Sequence, residues 1–344
     1  MKFQLAINLE RMDGTTDMRD VVKHTLEMVQ MAEDGGFSIV WAAEHHALEM
    51  TIAPNPFQIL TWWANETSKI RLGTAVVNAA YWHPINLAGE AAFLDLISGG
   101  RLEFGIGSGA YQREFDRMHP GLKQSDGWRY MQEMLPVVRA LWQGDVEHDG
   151  EYWKFPAATS CPKPLQTDVP VWIAARSPIT YDYALRERCH VMSWPLTRGF
   201  EEAALYKRQL DAAVYKADNG FQPIFAMMRH AAVYENQSDR DKAIYSIQTV
   251  LGQFENLFLN KGDVTNGFPK KMPLDELVGR EQYQPDMLEK NLLFGSPDKV
   301  IKKLNKYQAL GVDEFIYYAS MGMDMDAQKR SMKLFCDEVI PAFS

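Results

Sequence analysis

The sequence has little that would tie it to a disulfide framework, a membrane or a nucleic acid. Its 344 residues include three cysteines, Cys161, Cys189 and Cys336. They are odd in number, far apart and form no CxxC pair, which argues against a stapled secreted scaffold and against a zinc site. No apolar stretch approaches the ~20 residues that a helix needs to cross a bilayer. The N-terminal run Phe3-Gln4-Leu5-Ala6-Ile7-Asn8-Leu9 is short, interrupted by Gln4 and Asn8 and closed by Glu10-Arg11, so it does not read as a signal peptide. A basic excess is also missing. The 45 acidic residues outnumber 36 basic ones, the net charge is −9, and no basic run offsets it, so nucleic acid is not expected as a partner. Internal repeats, low-complexity tracts and linkers are absent as well. These absences leave one domain over 1–344, with the cytoplasm as its default compartment; the 18 methionines suit a reduced environment.

What is present is an alternation of strand and helix patterns. Phe3, Leu5, Ile7 and Leu9 share one parity, as a strand requires, and Val22, Leu26, Val29 and Ala32 then recur at helical spacing before Gly35-Gly36. Further strands are expected at Phe37–Ala43, Ile70–Val77, Leu102–Ile106, Val169–Ala175, Cys189–Trp194, Ile224–Met228 and Glu314–Tyr318. Helices are expected near 56–66, 84–97, 126–143, 200–217, 297–310 and 326–339. Eight strands separated by helical crossovers imply parallel pairing, and eight is the number that closes a barrel. The expected fold is therefore a (β/α)8 TIM barrel, with a doubly wound open sheet as its rival. Residues 256–291, rich in Lys, Asp, Gly and Pro, break the alternation. An insertion after strand seven would leave the active face of a barrel, so this stretch reads as a lid.

Barrel chemistry sits at the C-terminal ends of the strands. Polar residues fall there repeatedly: Glu44-His45-His46, Asn78, Gly107-Ser108-Gly109, Arg176-Ser177 and Trp194. Barrel metallohydrolases favour His-x-His, because alternate strand residues point the same way. Adjacent His45 and His46 point to opposite faces instead, and no HExxH occurs, so no metal site is expected. One histidine facing the barrel can move protons near neutral pH. Phe104-Gly105-Ile106-Gly107-Ser108-Gly109-Ala110-Tyr111 lacks the GxGxxG spacing of a dinucleotide fold, yet its glycines let backbone approach a flat or anionic ligand.

Trp41-Ala42-Ala43-Glu44-His45-His46, Pro54-Asn55-Pro56, Arg71-Leu72-Gly73-Thr74-Ala75-Val76-Val77, His83-Pro84 and Ser98-Gly99-Gly100-Arg101 stand in one order, followed by Pro170-Val171-Trp172-Ile173-Ala174-Ala175 and Phe294-Gly295-Ser296-Pro297. In order and spacing this set resembles the bacterial luciferase-like flavin monooxygenases over nearly the whole chain. No single motif is diagnostic; the ordered set is specific.

The resemblance implies a barrel that binds FMN, receives it reduced (FMNH2) from a separate flavin reductase and uses O2 to oxygenate a small organic substrate. His45 matches the family's catalytic histidine. Ala75-Val76 matches a non-prolyl cis peptide against the flavin ring. Asn78, Ser108, Tyr111, Arg176, Ser177, Thr180 and Trp194 fall where the flavin is lined or its phosphate held. The chain departs from luciferase at three positions. Ser108 stands for an arginine, Arg176 for a glutamate and Gly107 for a reactive cysteine, so Arg176 becomes the expected phosphate partner. A pocket built by Trp41, Met50, Tyr81 and Trp82 would favour an apolar substrate. The resemblance further implies a homodimer packed through helices near strands two and three. Two other readings share the barrel: a deazaflavin-dependent oxidoreductase, and a flavin-binding protein without turnover.

Overall fold

A computed structural model describes residues 1–343. Eight parallel strands form its centre: β1 (Lys2–Ala6), β2 (Ile39–Ala42), β3 (Arg71–Thr74), β4 (Leu102–Gly107), β5 (Val171–Ala174), β6 (His190–Ser193), β7 (Phe225–Val233) and β8 (Glu314–Tyr318). Each pairs with the next, and β8 pairs with β1, so the sheet closes on itself. A closed ring of eight parallel strands is the (β/α)8 barrel; the open-sheet rival is excluded.

The strands close because their residues alternate between two apolar environments. In β1, Phe3 and Leu5 face the helices, while Ala6 joins Ile39, Trp41, Trp172, Met192, Ala226 and Ile316 in the barrel interior. Trp41 and Trp172 meet edge to face at 5.4 Å and fill the centre. Their indole N–H groups are satisfied by buried polar side chains, Gln4 at 2.8 Å and Glu103 at 2.6 Å. Gly73 is the matching small residue, since a Cβ there would lie 2.1 Å from the Trp41 ring.

Twelve helices surround or cap the ring: α1 (Met18–Asp34), α2 (Pro56–Asn65), α3 (Pro84–Ile97), α4 (Gln112–Met118), α5 (Gly127–Gln143), α6 (Pro178–Arg186), α7 (Phe200–Ala217), α8 (Gln237–Phe258), α9 (Leu274–Val278), α10 (Pro285–Asn291), α11 (Pro297–Leu310) and α12 (Met325–Leu334). Several start where the sequence supplies proline at the first turn behind a capping side chain. Asn55 accepts from the Phe57 N–H at 2.9 Å and His83 from the Ile85 N–H at 3.3 Å. No helix among the described residues is long and apolar enough to cross a membrane.

Several expectations need correction. The buried stripe of α1 is Val21, His24, Thr25, Met28, Val29 and Ala32, so Val22 and Leu26 sit on its flank. Strand one stops at Ala6; Leu9 makes only an isolated antiparallel bridge to Ile52. The strand expected over Ile70–Val77 is interrupted after Thr74 and resumes as Val77–Asn78 against Ile106–Gly107. Helices α4, α6 and α8 and the ribbon Val146–Asp149/Lys154–Ala158 were not anticipated. The stretch 256–291 is not irregular throughout. It holds the end of α8, a two-stranded hairpin (Val264–Thr265 with Phe268–Pro269), α9 and α10.

That insertion sits against the loops at the C-terminal mouth. The Glu49 N–H donates to the Gly267 carbonyl at 2.8 Å, and Arg11, paired with Glu49 at 2.9 Å, lies over the Phe268 ring. Val250, Phe254 and Leu257 of α8 pack with Leu48, Met50 and Tyr111.

Candidate active site

The eight strand ends open into a cavity of about 520 Å³. Loops after β2, β3, β4, β5 and β6 contribute His45, Ala75, Val76, Asn78, Ser108, Tyr111, Arg176 and Trp194 to its wall. Sequence reasoning named all eight. Ser177 and Thr180 lie beside Arg176 at the start of α6 and are not part of the wall. Sequence reasoning did not name Asn8, Gln124, Phe254, Phe258 and Tyr318, which also line it. Tyr318 was accessible to the strand-end rule, as the last residue of β8. Phe254 and Phe258 stand one helical turn apart, but only the fold shows that their helix crosses the mouth.

The Ala75–Val76 peptide is cis. Two glycines of β4 make room for this step. A Cβ on Gly105 would lie 1.8 Å from the Thr74 carbonyl oxygen, and one on Gly107 would lie 2.4 Å from the Val76 side chain. The glycine-rich strand end is thus a close approach of backbone to backbone, which leaves Ala75 and Val76 as one wall of the cavity.

The adjacent histidines go separate ways, each to its own carboxylate. His45 Nδ1 lies 3.2 Å from both oxygens of Glu114, which also accepts the His46 backbone N–H at 2.7 Å. His46 Nε2 lies 2.7 Å from Glu44, whose other oxygen accepts the Asn78 N–H at 2.7 Å and the Trp82 indole N–H at 3.0 Å. Glu44 therefore has no free oxygen for a ligand, and Glu114, buried on α4, is committed to the His45–His46 step. Burial alone would lower the His45 pKa. The charge and hydrogen bond of Glu114, helped by Glu44, outweigh it, and the value lies above the ordinary one. Since Glu114 takes Nδ1, the other ring nitrogen is left for the cavity.

A second corner is built from α6. Thr180 Oγ1 accepts the backbone N–H of Ser177 at 3.1 Å and of Arg176 at 3.3 Å, and the Ser177 hydroxyl lies 3.2 Å from it. Arg176 is exposed and makes no ion pair among the described residues. Thr180 thus engages the N–H groups at the helix start and donates its own hydroxyl to the Ser177 carbonyl at 2.8 Å, which leaves the Arg176 guanidinium as the charged donor of this corner.

Rings form much of the rest. Tyr111 packs on His45 at 5.3 Å and Phe258 at 5.0 Å, and burial with the Glu114 charge raises its pKa well above normal. Trp194 meets Phe254 at 5.9 Å and Tyr318 at 5.6 Å, both nearly perpendicular, and its buried indole N–H has no protein acceptor. Of the four residues expected to give an apolar pocket, only Trp41 lines the cavity. Met50 packs under α8, Tyr81 lies against His46 and Phe115, and Trp82 serves Glu44. The cavity's aromatic rings are therefore largely others than those expected: Tyr111, Trp194, Phe254, Phe258 and Tyr318 beside Trp41.

Comparison with known proteins identifies the family and the fold. The sequence model of the family described as luciferase-like monooxygenase matches residues 1–314. The oxygenase component of a flavin-dependent trigonelline monooxygenase from Acinetobacter baylyi is 37% identical, covering 100% of this chain and 96% of the relative. Among solved structures, the monooxygenase RslO1 of Streptomyces bottropensis superposes with a TM-score of 0.79 at 24% identity, covering both chains completely. The oxygenating constituent of 3,6-diketocamphane monooxygenase from Pseudomonas putida, in complex with FMN, gives 0.77 at 18%, covering 99% of this chain and 98% of that one. An F420-dependent secondary alcohol dehydrogenase also gives 0.77 at 18%, with 100% and 99% covered.

Proposed function

Because the chain belongs to the luciferase-like monooxygenase family and is by class a flavin-dependent monooxygenase, we propose that its flavin is FMN, delivered reduced by a separate flavin reductase. The observation that carries the choice of FMN is the anion corner at Arg176, Ser177 and Thr180, beside a wall narrowed at Ala75–Val76. The corner suits a terminal phosphate, and the wall suits a flat ring. Reduced flavin supplies the electrons that activate dioxygen.

The chain's own residues supply the surroundings. Arg176 and the start of α6 hold the phosphate. Val76, Tyr111 and Trp194 exclude water from the ring, Asn78 and Ser108 offer polar contacts along it, and His45 moves a proton at its cavity-facing nitrogen. Phe254 and Phe258, from the proposed lid at 256–291 and the helix leading into it, close the mouth. The substrate is a small organic molecule. The A. baylyi relative is named for trigonelline, a pyridinium carboxylate, and a ring of that size agrees with the aromatic walls better than an alkyl chain does.

The deazaflavin alternative rests on the F420-dependent structural neighbour and on Ser108. Titrating the apoprotein with FMN and with a deazaflavin separates the two. The proposal expects tighter binding of FMN and oxygen uptake coupled to product when a flavin reductase is added. Preference for the deazaflavin, or uptake no faster than with free flavin, would reject it. His45→Ala should retain FMN and lose product.

The reading also includes a homodimer. On α3, Phe93, Leu96 and Ile97 are 52%, 44% and 44% exposed, with Leu165 close to Gly100 beyond the helix end. A second copy covering this face would remove an apolar patch from water. A cytoplasmic location agrees with the three free cysteines.

A further inference from the structure

Tyr318 ends β8 and borders the cavity together with Asn8, which follows β1. Its ring is held from several sides. His230 stacks on it at 4.4 Å and 19°, and Trp194 meets it edge to face at 5.6 Å. The Asn8 amide donates to its phenol oxygen at 3.0 Å. Asn8 is fixed in turn, because its backbone N–H donates to the Ser320 hydroxyl at 2.8 Å. A phenol can both accept and donate. Asn8 takes the accepting side, and no group among the described residues accepts the phenol's own proton.

The surroundings keep this hydroxyl a neutral donor. Burial, with Glu10 adding to it, raises the Tyr318 pKa above its ordinary value and outweighs the Asn8 hydrogen bond, so the phenol retains its proton. His230 behind it is pushed down to about 3 by burial and by the neighbouring Arg229, and it carries no charge. The charged residues that border the cavity are Glu44, His45 and Arg176. Glu44 gives its oxygens to His46, Asn78 and Trp82, and His45 pairs with Glu114. Arg176 serves the phosphate under the reading above. No cation is left over for a substrate anion, whereas the Tyr318 proton still has no acceptor.

A buried donor without an acceptor costs free energy, and a ligand that brings an oxygen to it recovers that cost. Resting on the FMN reading, we infer that the Tyr318 hydroxyl, oriented by Asn8, holds an uncharged carbonyl oxygen of the substrate. The class is a ketone, aldehyde or amide. A carboxylate would enter without a counter-charge and lose its hydration. Tyr318 thereby fixes which end of the substrate points away from the flavin, and Asn8 acts through it as a positioning residue. A site built around such a donor rejects an analogue that lacks the oxygen.

The test titrates three probes into the FMN-loaded protein by calorimetry. Acetophenone and α-methylstyrene share one shape, with the carbonyl of the first exchanged for a methylene in the second, and benzoate carries the charge. Acetophenone should bind about tenfold more tightly than α-methylstyrene, and more tightly than benzoate. Tyr318→Phe keeps the ring and should erase the preference, with α-methylstyrene bound as before. The infrared carbonyl stretch of isotope-labelled acetophenone should be lowered in the parent complex and rise in the variant, a change that a merely structural role would not produce. Equal binding of acetophenone and α-methylstyrene by the parent, benzoate as the tightest probe, or an unaltered stretch in Tyr318→Phe would each overturn the inference. So would a variant that loses FMN and keeps the ketone preference, since the hydroxyl would then serve the flavin. Flavin fluorescence in the same samples separates the two levels. Parent protein that takes FMN and shows no preference sinks the carbonyl site alone, and parent protein that takes no FMN sinks both.

Discussion

Replacing Glu114 by Gln keeps the shape of its side chain and an acceptor for the His46 N–H, but removes the negative charge 3.2 Å from His45 Nδ1. Charge centres about 4 Å apart interact by about 4 kcal/mol at an effective dielectric of about 20. At about 1.4 kcal/mol per unit that is close to three pKa units, and measured effects of a neighbouring charge run from about one to three. Burial, which opposes protonation of His45, would then prevail, with Glu44 a lesser opposing influence. The imidazole should move from above its ordinary value of 6.5 to below it. The expected drop is about one to three units. The sign for stability follows. With the folded value raised, the pair's contribution is complete below pH 6.5 and is lost as pH rises through the folded value. The stability gap between parent and variant should therefore shrink with rising pH. The assay is an NMR titration of carbon-labelled histidine in flavin-free protein, with the His45 resonance identified by its loss in His45→Asn. A titration midpoint unchanged or raised in Glu114→Gln would refute the assignment of Glu114 as the group that sets His45.

Three further outcomes follow from single contacts. Gly105→Ala should destabilise by about 3 kcal/mol or more, since its Cβ would lie 1.8 Å from the Thr74 carbonyl oxygen; denaturant midpoints would show it, and a loss below about 1 kcal/mol would contradict the close approach. Glu10 has its pKa raised to about 7, burial outweighing the Gly322, Met321 and Gln328 hydrogen bonds. Its contribution is full below pH 4.5 and falls by about 3 kcal/mol as pH climbs to about 7. Glu10→Gln should flatten that part of the stability–pH curve, and an unaltered slope would exclude Glu10 as its source. Leu96→Glu with Phe93→Glu should yield a folded monomer in sedimentation, whereas a dimer that persists would place the interface elsewhere.

The barrel was legible because its strands are short apolar runs, each followed by polar residues where the chain must turn toward solvent. Trp41-Ala42-Ala43-Glu44-His45-His46 shows both halves of that pattern. The ordered motifs placed eight expected residues around one cavity, including a peptide at 75–76 whose cis geometry no periodicity could reveal. Glu114 was not legible. Its partner lies 69 residues earlier, and nothing local distinguishes it from the other charged residues of α4. Helix α8 carries a helical period in Ile244, Ile247, Val250, Leu251 and Phe254, but one connection between strands seven and eight is all a barrel requires, so the pattern had no obvious place. The apolar-pocket expectation failed for a related reason. Tyr81 and Trp82 follow strand three as a wall residue should, yet the short helical turn at Ala79–Tyr81 rotates them onto Glu44, His46 and Phe115.

A crystal structure of the protein soaked with FMN addresses the central claim most directly. The phosphate should lie within hydrogen-bonding distance of Arg176 and the first turn of α6, with the ring system against Ala75–Val76 and His45 at its edge. A phosphate seated at another corner, or density for the ring away from the 75–76 step, would contradict the account.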